Sequence, residues 1–348
     1  MRNLRIGIVG VGRFGRLHLR VLSQLAGCEV AAVSDINEDL LHEVAREFQI
    51  EETFTDPVDM VRDADLDMID VVSDEQTHGQ LVLESLRHGK HVFVEKPLST
   101  TYEEAEKIEL AASQYNKQVM VGNINRFSQP YVAIKRAVTA NSLGDLGMIR
   151  AKRNFSKEWF ENFGKRVHPV YESGIHDIDL FLWYTESRCK NVYAVERNLS
   201  GYAYPDLFSA VLEFENGVVA SLDSAWLVPK GGPRNLTETL ELDGTIDADI
   251  EVMGEKGTAN FQLGHSGYSV WTDQGATNPE LTLWPTEHDG IGGAIRAELQ
   301  HFLLQLEKGE ESSVAPLSHS VEALKIADAI VLSAKEKRRI QLVEGDSI

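Results

Sequence analysis

Leu4-Arg5-Ile6-Gly7-Ile8-Val9-Gly10-Val11-Gly12-Arg13-Phe14-Gly15 reads as an apolar strand running into a glycine turn that opens a helix. Each spaced glycine has its own job. Gly10 permits the tight turn, Gly12 lets the backbone approach a pyrophosphate, and Gly15 permits close packing of helix on strand. The amides at the helix N-terminus then face the phosphates. The six-residue pattern alone is weakly specific, but its context narrows it. A strand precedes it, a helix follows, and an acid, Asp35, stands twenty residues past Gly15 at the end of an apolar run. Asp35 is suited to accept hydrogen bonds from an adenosine ribose and would repel a 2′-phosphate. The pattern implies a dinucleotide site that favours NAD over NADP.

Working outward, short apolar runs at 4–9, 29–35, 67–73, 91–95 and 118–122 alternate with helical patterns near 14–25, 38–48, 76–88 and 102–115. This β-α-β-α rhythm predicts a doubly wound parallel sheet over 1–122. Its strands are continuously apolar, as expected when both faces are covered. Beyond 122 the rhythm changes. Helices are predicted near 129–141 and 172–184. Alternating strands are predicted at 207–214 and 218–225, joined by Glu215-Asn216-Gly217, a hairpin signal. Further strands are expected near 237–243, 247–253, 258–263 and 268–272, then helices at 291–308 and 319–337. The second part, 123–348, thus reads as an α+β domain with a mostly antiparallel sheet and helices on one face. The last helix is expected to dock back on the first domain.

The chain has 348 residues, with 34 Lys and Arg against 54 Asp and Glu, a net charge of −20. No basic stripe marks nucleic-acid binding. The basic run from Lys335 to Arg339 reads as the end of a helix. Two distant cysteines, Cys28 and Cys189, make neither a disulfide framework nor a thiolate metal site. No apolar run approaches the roughly 18 residues of a membrane span. A strand begins within a few residues of Met1, so no signal peptide and a cytoplasmic location are expected.

Two further segments carry chemistry. Lys96, in Glu95-Lys96-Pro97, follows the apolar run His91-Val92-Phe93-Val94. In open α/β sheets ligands bind beyond the carboxyl ends of the strands, so an ammonium there faces the nicotinamide crevice and can stabilise an alkoxide and relay a proton. The bland alternative is a snorkelling surface lysine. In Glu172-Ser173-Gly174-Ile175-His176-Asp177-Ile178-Asp179 the titratable residues Glu172, His176 and Asp179 share a helical face. A carboxylate–imidazole–carboxylate face is costly in a core, and in a cleft it forms a general base with orienting partners. Metal ligation is not expected, since hydride chemistry needs no metal. His18 reads as a helix residue bonded internally. Trp159, His168 and Tyr171 read as a pocket wall or as structural, and Trp226 as core, interface or sugar-stacking surface.

The glycine fingerprint, Glu95-Lys96-Pro97, Val121-Gly122-Asn123-Ile124-Asn125-Arg126-Phe127 and Gly174-Ile175-His176-Asp177-Ile178-Asp179, in this order and spacing, resemble the Gfo/Idh/MocA oxidoreductases. That is the group of glucose–fructose oxidoreductase and inositol dehydrogenase, and the resemblance covers essentially the whole chain. It implies a Rossmann domain, a second domain whose large open sheet forms homodimers or homotetramers, and oxidation of a ring hydroxyl in a sugar or cyclitol. By the resemblance, Lys96 touches both nicotinamide and substrate, and His176 is the general base. Glu172 stands where inositol dehydrogenase-like members usually have Asp. Arg126 and Asp179 fall at positions that line the substrate pocket. Arg13, Phe14, Ile36, Ser73, His78, Glu95 and Asn123 complete the expected cofactor set. The family's usual Ala-Thr-Pro-Asn is replaced by Val72-Ser73-Asp74-Glu75, which brings two acids near the nicotinamide end, while His78 is retained.

The expected function is NAD-dependent oxidation of a polyhydroxylated ring. The rivals are a non-catalytic dinucleotide sensor and an NADP-dependent reductase of a keto or imino compound. Retention of both Lys96 and His176 argues against the sensor, and Asp35 against the reductase.

Overall fold

The computed structural model of the chain describes residues 3–232, 234–235, 244–264, 269–272, 275–288 and 290–343. Its first eleven elements are β1 (Leu4–Val9), α1 (Arg13–Leu22), β2 (Cys28–Ser34), α2 (Glu38–Phe48), β3 (Glu52–Phe54), α3 (Pro57–Asp63), β4 (Met68–Val71), α4 (His78–Arg87), β5 (His91–Glu95), α5 (Tyr102–Tyr115) and β6 (Val119–Gly122). The strands lie in the order β3-β2-β1-β4-β5-β6, and every pair is parallel. Strand order reverses between β1 and β4, which opens a crevice at their carboxyl ends. Ile6, Ile8, Ile69, Val92, Phe93 and Val94 have no exposed surface, so both sheet faces are covered. Side chains fix three of the helix starts. Asn37, Asp56 and Thr101 accept the amides of Leu40, Val58 and Glu104. The β3–α3 unit was not expected from sequence. β3 has three half-buried residues, too few to show a period.

The chain continues through α6 (Gln129–Thr139), β7 (Leu146–Ser156), α7 (Lys157–Phe163), α8 (Ile175–Thr185), β8 (Cys189–Arg197), β9 (Leu207–Phe214), β10 (Val219–Val228), β11 (Ile246–Gly254), β12 (Gly257–Leu263), β13 (Val270–Thr272) and β14 (Gly275–Thr277). A seven-stranded sheet runs β12-β11-β7-β10-β9-β8, with Ile340–Gln341 beside β8. Only β7 and β10 pair in parallel; the other neighbours are antiparallel. The Asn216-Gly217 hairpin forms as expected, with the Phe214 amide donating to Val218 O at 2.9 Å and Gly217 at φ +87°. On the covered face Phe208, Ala210, Leu212, Ala220, Leu222, Ile250 and Val252 are buried. The strand expected near 237–243 lies outside the described residues.

After the short hairpin of β15 (Thr286–Glu287) and β16 (Gly290–Ile291) come α9 (Gly293–Lys308), α10 (Leu317–Glu336) and β17 (Ile340–Gln341). Residues up to Phe127 and Leu283–Val321 form one compact unit; Ser128–Thr282 and the chain from Glu322 form the other. The division therefore differs from a boundary at 122. The segment that rejoins the first unit is 283–321. Its helix α9 packs on α1, and Phe302 meets Phe93 with ring centroids 6.0 Å apart. Most of the helix expected at 319–337 belongs instead to the second unit, where Ser333 Oγ accepts the Ala194 amide at 2.9 Å. Among the described residues no helix is long and apolar enough to cross a membrane.

Candidate active site

The carboxyl ends of the first unit's strands frame a cleft of about 560 Å³, lined among others by Gly10, Gly12, Asp35, Ile36 and Ser73. The three glycines behave as three different constraints. A Cβ on Gly15 would lie 2.0 Å from Gly10 O, so α1 can start here only without a side chain. Gly10, at φ +90°, would place a Cβ 2.6 Å from Val72 O. A Cβ on Gly12 would meet nothing within 4 Å, so the turn leaves open space where a pyrophosphate would lie. Asp35 is held by two amides, from Val11 to Oδ2 and from Asn37 to Oδ1, each at 2.9 Å. An ionised carboxylate has about four acceptor directions, so this one keeps capacity for a ribose diol. Ile36, 89% exposed, forms an apolar rim. The residues present fit a dinucleotide. The cleft also takes Asp56, Pro57 and Val58 from the unexpected β3–α3 unit, together with Asp74, Thr77 and Gln80. The Asp74–Thr77 segment is a turn closed by the Thr77 amide on Asp74 O at 2.9 Å, and Glu75 within it is buried.

Other members of the expected cofactor set stand outside that lining. Phe14 packs edge-on to Trp284 at 5.8 Å and against His18 at 5.3 Å, while Arg13 is exposed. His78 is buried between Pro97 O at 2.7 Å and Ser73 O at 3.0 Å, so it ties the loop after β4 to the loop after β5. Lys96 is half-buried at the end of β5, and its amide donates to Glu95 Oε2 at 3.2 Å. Two further expected residues are held by protein groups. Asn123 is buried and donates to Ser320 Oγ at 3.0 Å. Arg126, expected against substrate, is 1% exposed. Its guanidinium donates to Val314 O at 2.7 Å and faces His319 Nδ1 at 3.0 Å. Both side chains bind the segment 314–320 to the turn after β6, a pairing that depends on residues nearly 200 positions away.

In the second unit, Glu172 sits in a single wide π-helical turn, Val170–Gly174, that runs directly into α8 with His176 in its first turn. Such turns are rare and frequently fall at functional sites. This one is pinned from several directions. The Val170 amide donates to His168 Nδ1 at 3.1 Å, which leaves Nε2 to donate to Glu196 at 3.2 Å. Ser173 Oγ meets Pro169 O at 2.8 Å and Ser224 Oγ at 2.7 Å. A Cβ on Gly174 would lie 2.8 Å from Phe208 Cζ, so the turn rests directly on the sheet. Tyr171 donates to Asp328 at 2.7 Å; burial, then that carboxylate, push its phenol well above the usual range. His168 and Tyr171 are thus structural supports of the turn. Glu172 and His176 are half-buried, whereas Asp179, expected on the pocket wall, is 1% exposed among core residues of α8. Trp226 is core: it stacks on Phe155 at 4.5 Å and 20° and packs against Phe163 at 5.0 Å.

The family model described as "Oxidoreductase family, NAD-binding Rossmann fold" matches residues 4–123, and "GFO/IDH/MocA C-terminal domain" matches residues 131–260. The chain is 34% identical over 336 residues to inositol 2-dehydrogenase of Paracoccus denitrificans, covering 94% of this chain and 93% of that one. It is 30% identical to inositol 2-dehydrogenase/D-chiro-inositol 3-dehydrogenase of Halalkalibacterium halodurans, over 98% and 94% of the two chains. The crystal structure of myo-inositol 2-dehydrogenase from Lactobacillus plantarum shares the fold, with a TM-score of 0.83 at 23% identity over 98% of this chain and 100% of that one. With its fingerprint, its sheet order and both halves matched, the chain belongs to the Gfo/Idh/MocA family of NAD-binding oxidoreductases.

Proposed function

We propose that the protein is an NAD-dependent dehydrogenase that oxidises a ring hydroxyl of a cyclitol, inositols first among them, to the ketone. The observation that carries this reading is the end-to-end similarity to inositol 2-dehydrogenase at 34% identity, together with Lys96 and the Glu172–His176 turn. Gly10, Gly12 and Asp35 hold NAD, whose nicotinamide supplies the hydride acceptor. The His176 imidazole takes the hydroxyl proton, and Glu172 on the preceding turn orients the ring. The Lys96 ammonium stabilises the oxygen as its negative charge develops. The test is NADH formation against inositol stereoisomers, aldoses, sugar acids and nucleotide sugars, with NADP in parallel. Turnover of an inositol with NAD is the expected result. NAD binding without turnover of any polyol would sink this reading in favour of a sensor.

The same reading includes self-association through the open face of the seven-stranded sheet. Tyr193 and Val211 stand opposite each other on β8 and β9 and are each 47% exposed, and Val195 beside them is 50% exposed. A strip of large apolar side chains on an open sheet suits a second copy. Val211→Glu is expected to shift the light-scattering mass to that of the monomer. A wild type that is already monomeric at micromolar concentration would refute it.

A further inference from the structure

One fully buried charged cluster has no part in the chemistry above. His18, on α1, and Asp70, on β4, have no exposed surface, and Glu95, at the end of β5, is 8% exposed. His18 Nδ1 lies 2.9 Å from Asp70 Oδ2. Its Nε2 lies 3.3 Å from Glu95 Oε1, an ion-pair contact rather than an aligned hydrogen bond. The ring is enclosed by Phe14 and Phe93, with centroids 5.3 and 5.8 Å away. Both ring nitrogens therefore face carboxylate oxygens, and the ring that suits both is the imidazolium. Burial works against that charge, but Asp70 and then Glu95 outweigh it and push the ring's pKa up to about 10. The other Glu95 oxygen accepts the Lys96 amide at 3.2 Å. Behind Glu95 the space is closed, because a Cβ on Gly122 would lie 2.6 Å from Oε1.

Ion pairs buried this deeply add little stability compared with apolar packing. What this one does is join parts. α1 starts at the glycine turn that faces the cofactor phosphates, and β5 ends at Lys96. We propose that His18 is a positioning residue for Lys96: as an imidazolium held between Asp70 and Glu95, it sets the carboxylate that fixes the Lys96 backbone and locks the cofactor-binding helix to the lysine. This rests on the catalytic role proposed for Lys96.

The test uses the full chain with NAD and compares His18→Gln with the double variant His18→Gln/Asp70→Asn. In the single variant the introduced amide faces two carboxylates with one donor end. In the double variant the asparagine amide can donate to the glutamine carbonyl, while the glutamine amide donates to Glu95. The single variant is expected to lose about 30- to 100-fold in kcat, the scale of a displaced catalytic group, with KM for NAD within about threefold. Amide exchange over 93–98 is expected to quicken by about tenfold or more, with that of α2 unchanged. The double variant is expected to recover about tenfold in kcat and to slow that exchange again. Unchanged kcat and exchange in soluble His18→Gln would overturn the proposal. So would quickened exchange throughout the unit with no recovery in the double variant. Should His18→Gln fail to fold, exchange over 93–98 in the double variant decides, with wild-type protection as the supporting result. The exchange arm needs no substrate, so a wild type inert on every polyol would defeat the dehydrogenase reading and leave this one to be judged on its own result.

Discussion

Lys96→Ala is expected to lower kcat/KM for inositol oxidation by about 10²- to 10³-fold, the range seen when one group that stabilises a developing oxyanion is removed. The loss should fall mainly on kcat. The alkoxide charge that Lys96 meets is absent from the bound alcohol, so the interaction strengthens only as the proton leaves. Affinity for NADH, followed by fluorescence of the bound reduced nucleotide, should change by less than about threefold, because the glycine turn and Asp35 carry most of that binding. Lys96→Arg is not expected to rescue. A guanidinium spreads its charge over a planar fork and holds its proton too firmly to relay one. Steady-state NADH absorbance with both variants checks this. Lys96→Ala with wild-type turnover would remove the lysine from the mechanism. A loss confined to KM for NAD would reassign it to cofactor binding.

The parallel half of the fold was legible because its strands are apolar on both faces and its helices carry their own stop and start signals. The helix expected at 102–115 is Tyr102–Tyr115, begun by Thr101 and ended by Asn116 at φ 53°. β7 was not legible, although it lies in the middle of the second sheet. Leu146–Ser156 carries Arg150, Lys152 and Arg153 and reads as a polar stretch. Those charges are answered across the strand register. Lys152 pairs with Asp247 at 3.0 Å and Asp249 at 2.9 Å on β11. Cross-strand pairs of this kind cannot be seen before the register is known. The site shows the same split. Gly10, Gly12 and Asp35 line one cleft as a local motif predicts, because local backbone sets their direction. Arg126 and Asn123 sit beside a motif in sequence, but the segment 314–320 decides where their side chains point.

Asp177→Leu is expected to cost the second unit about 3–5 kcal/mol, the consequence of leaving one member of a buried pair unanswered. Arg153 reaches inward from β7 with Nε 2.7 Å from Asp177 Oδ2 and a terminal nitrogen 2.8 Å from Oδ1. The two side chains are 4% and 1% exposed. Burial opposes the guanidinium charge, and Asp177 more than restores it, so the Arg153 pKa rises above its ordinary value. Without the carboxylate the guanidinium keeps the Tyr131 hydroxyl at 3.5 Å, the outer limit of a hydrogen bond. Arg153→Met/Asp177→Leu removes both charges and is expected to be about as stable as wild type, or more so. Denaturant titration followed by tryptophan emission reads this unit, since four of the five tryptophans lie in it. A single-variant cost below about 1 kcal/mol would mean that water reaches the pair. The double variant also separates two roles of the pair. Asp177 directly follows His176 on α8, so a stable double variant with lowered kcat would show that the fork fixes the angle of the helix carrying the base. A stable double variant with full kcat would confine the pair to holding α8 on the sheet.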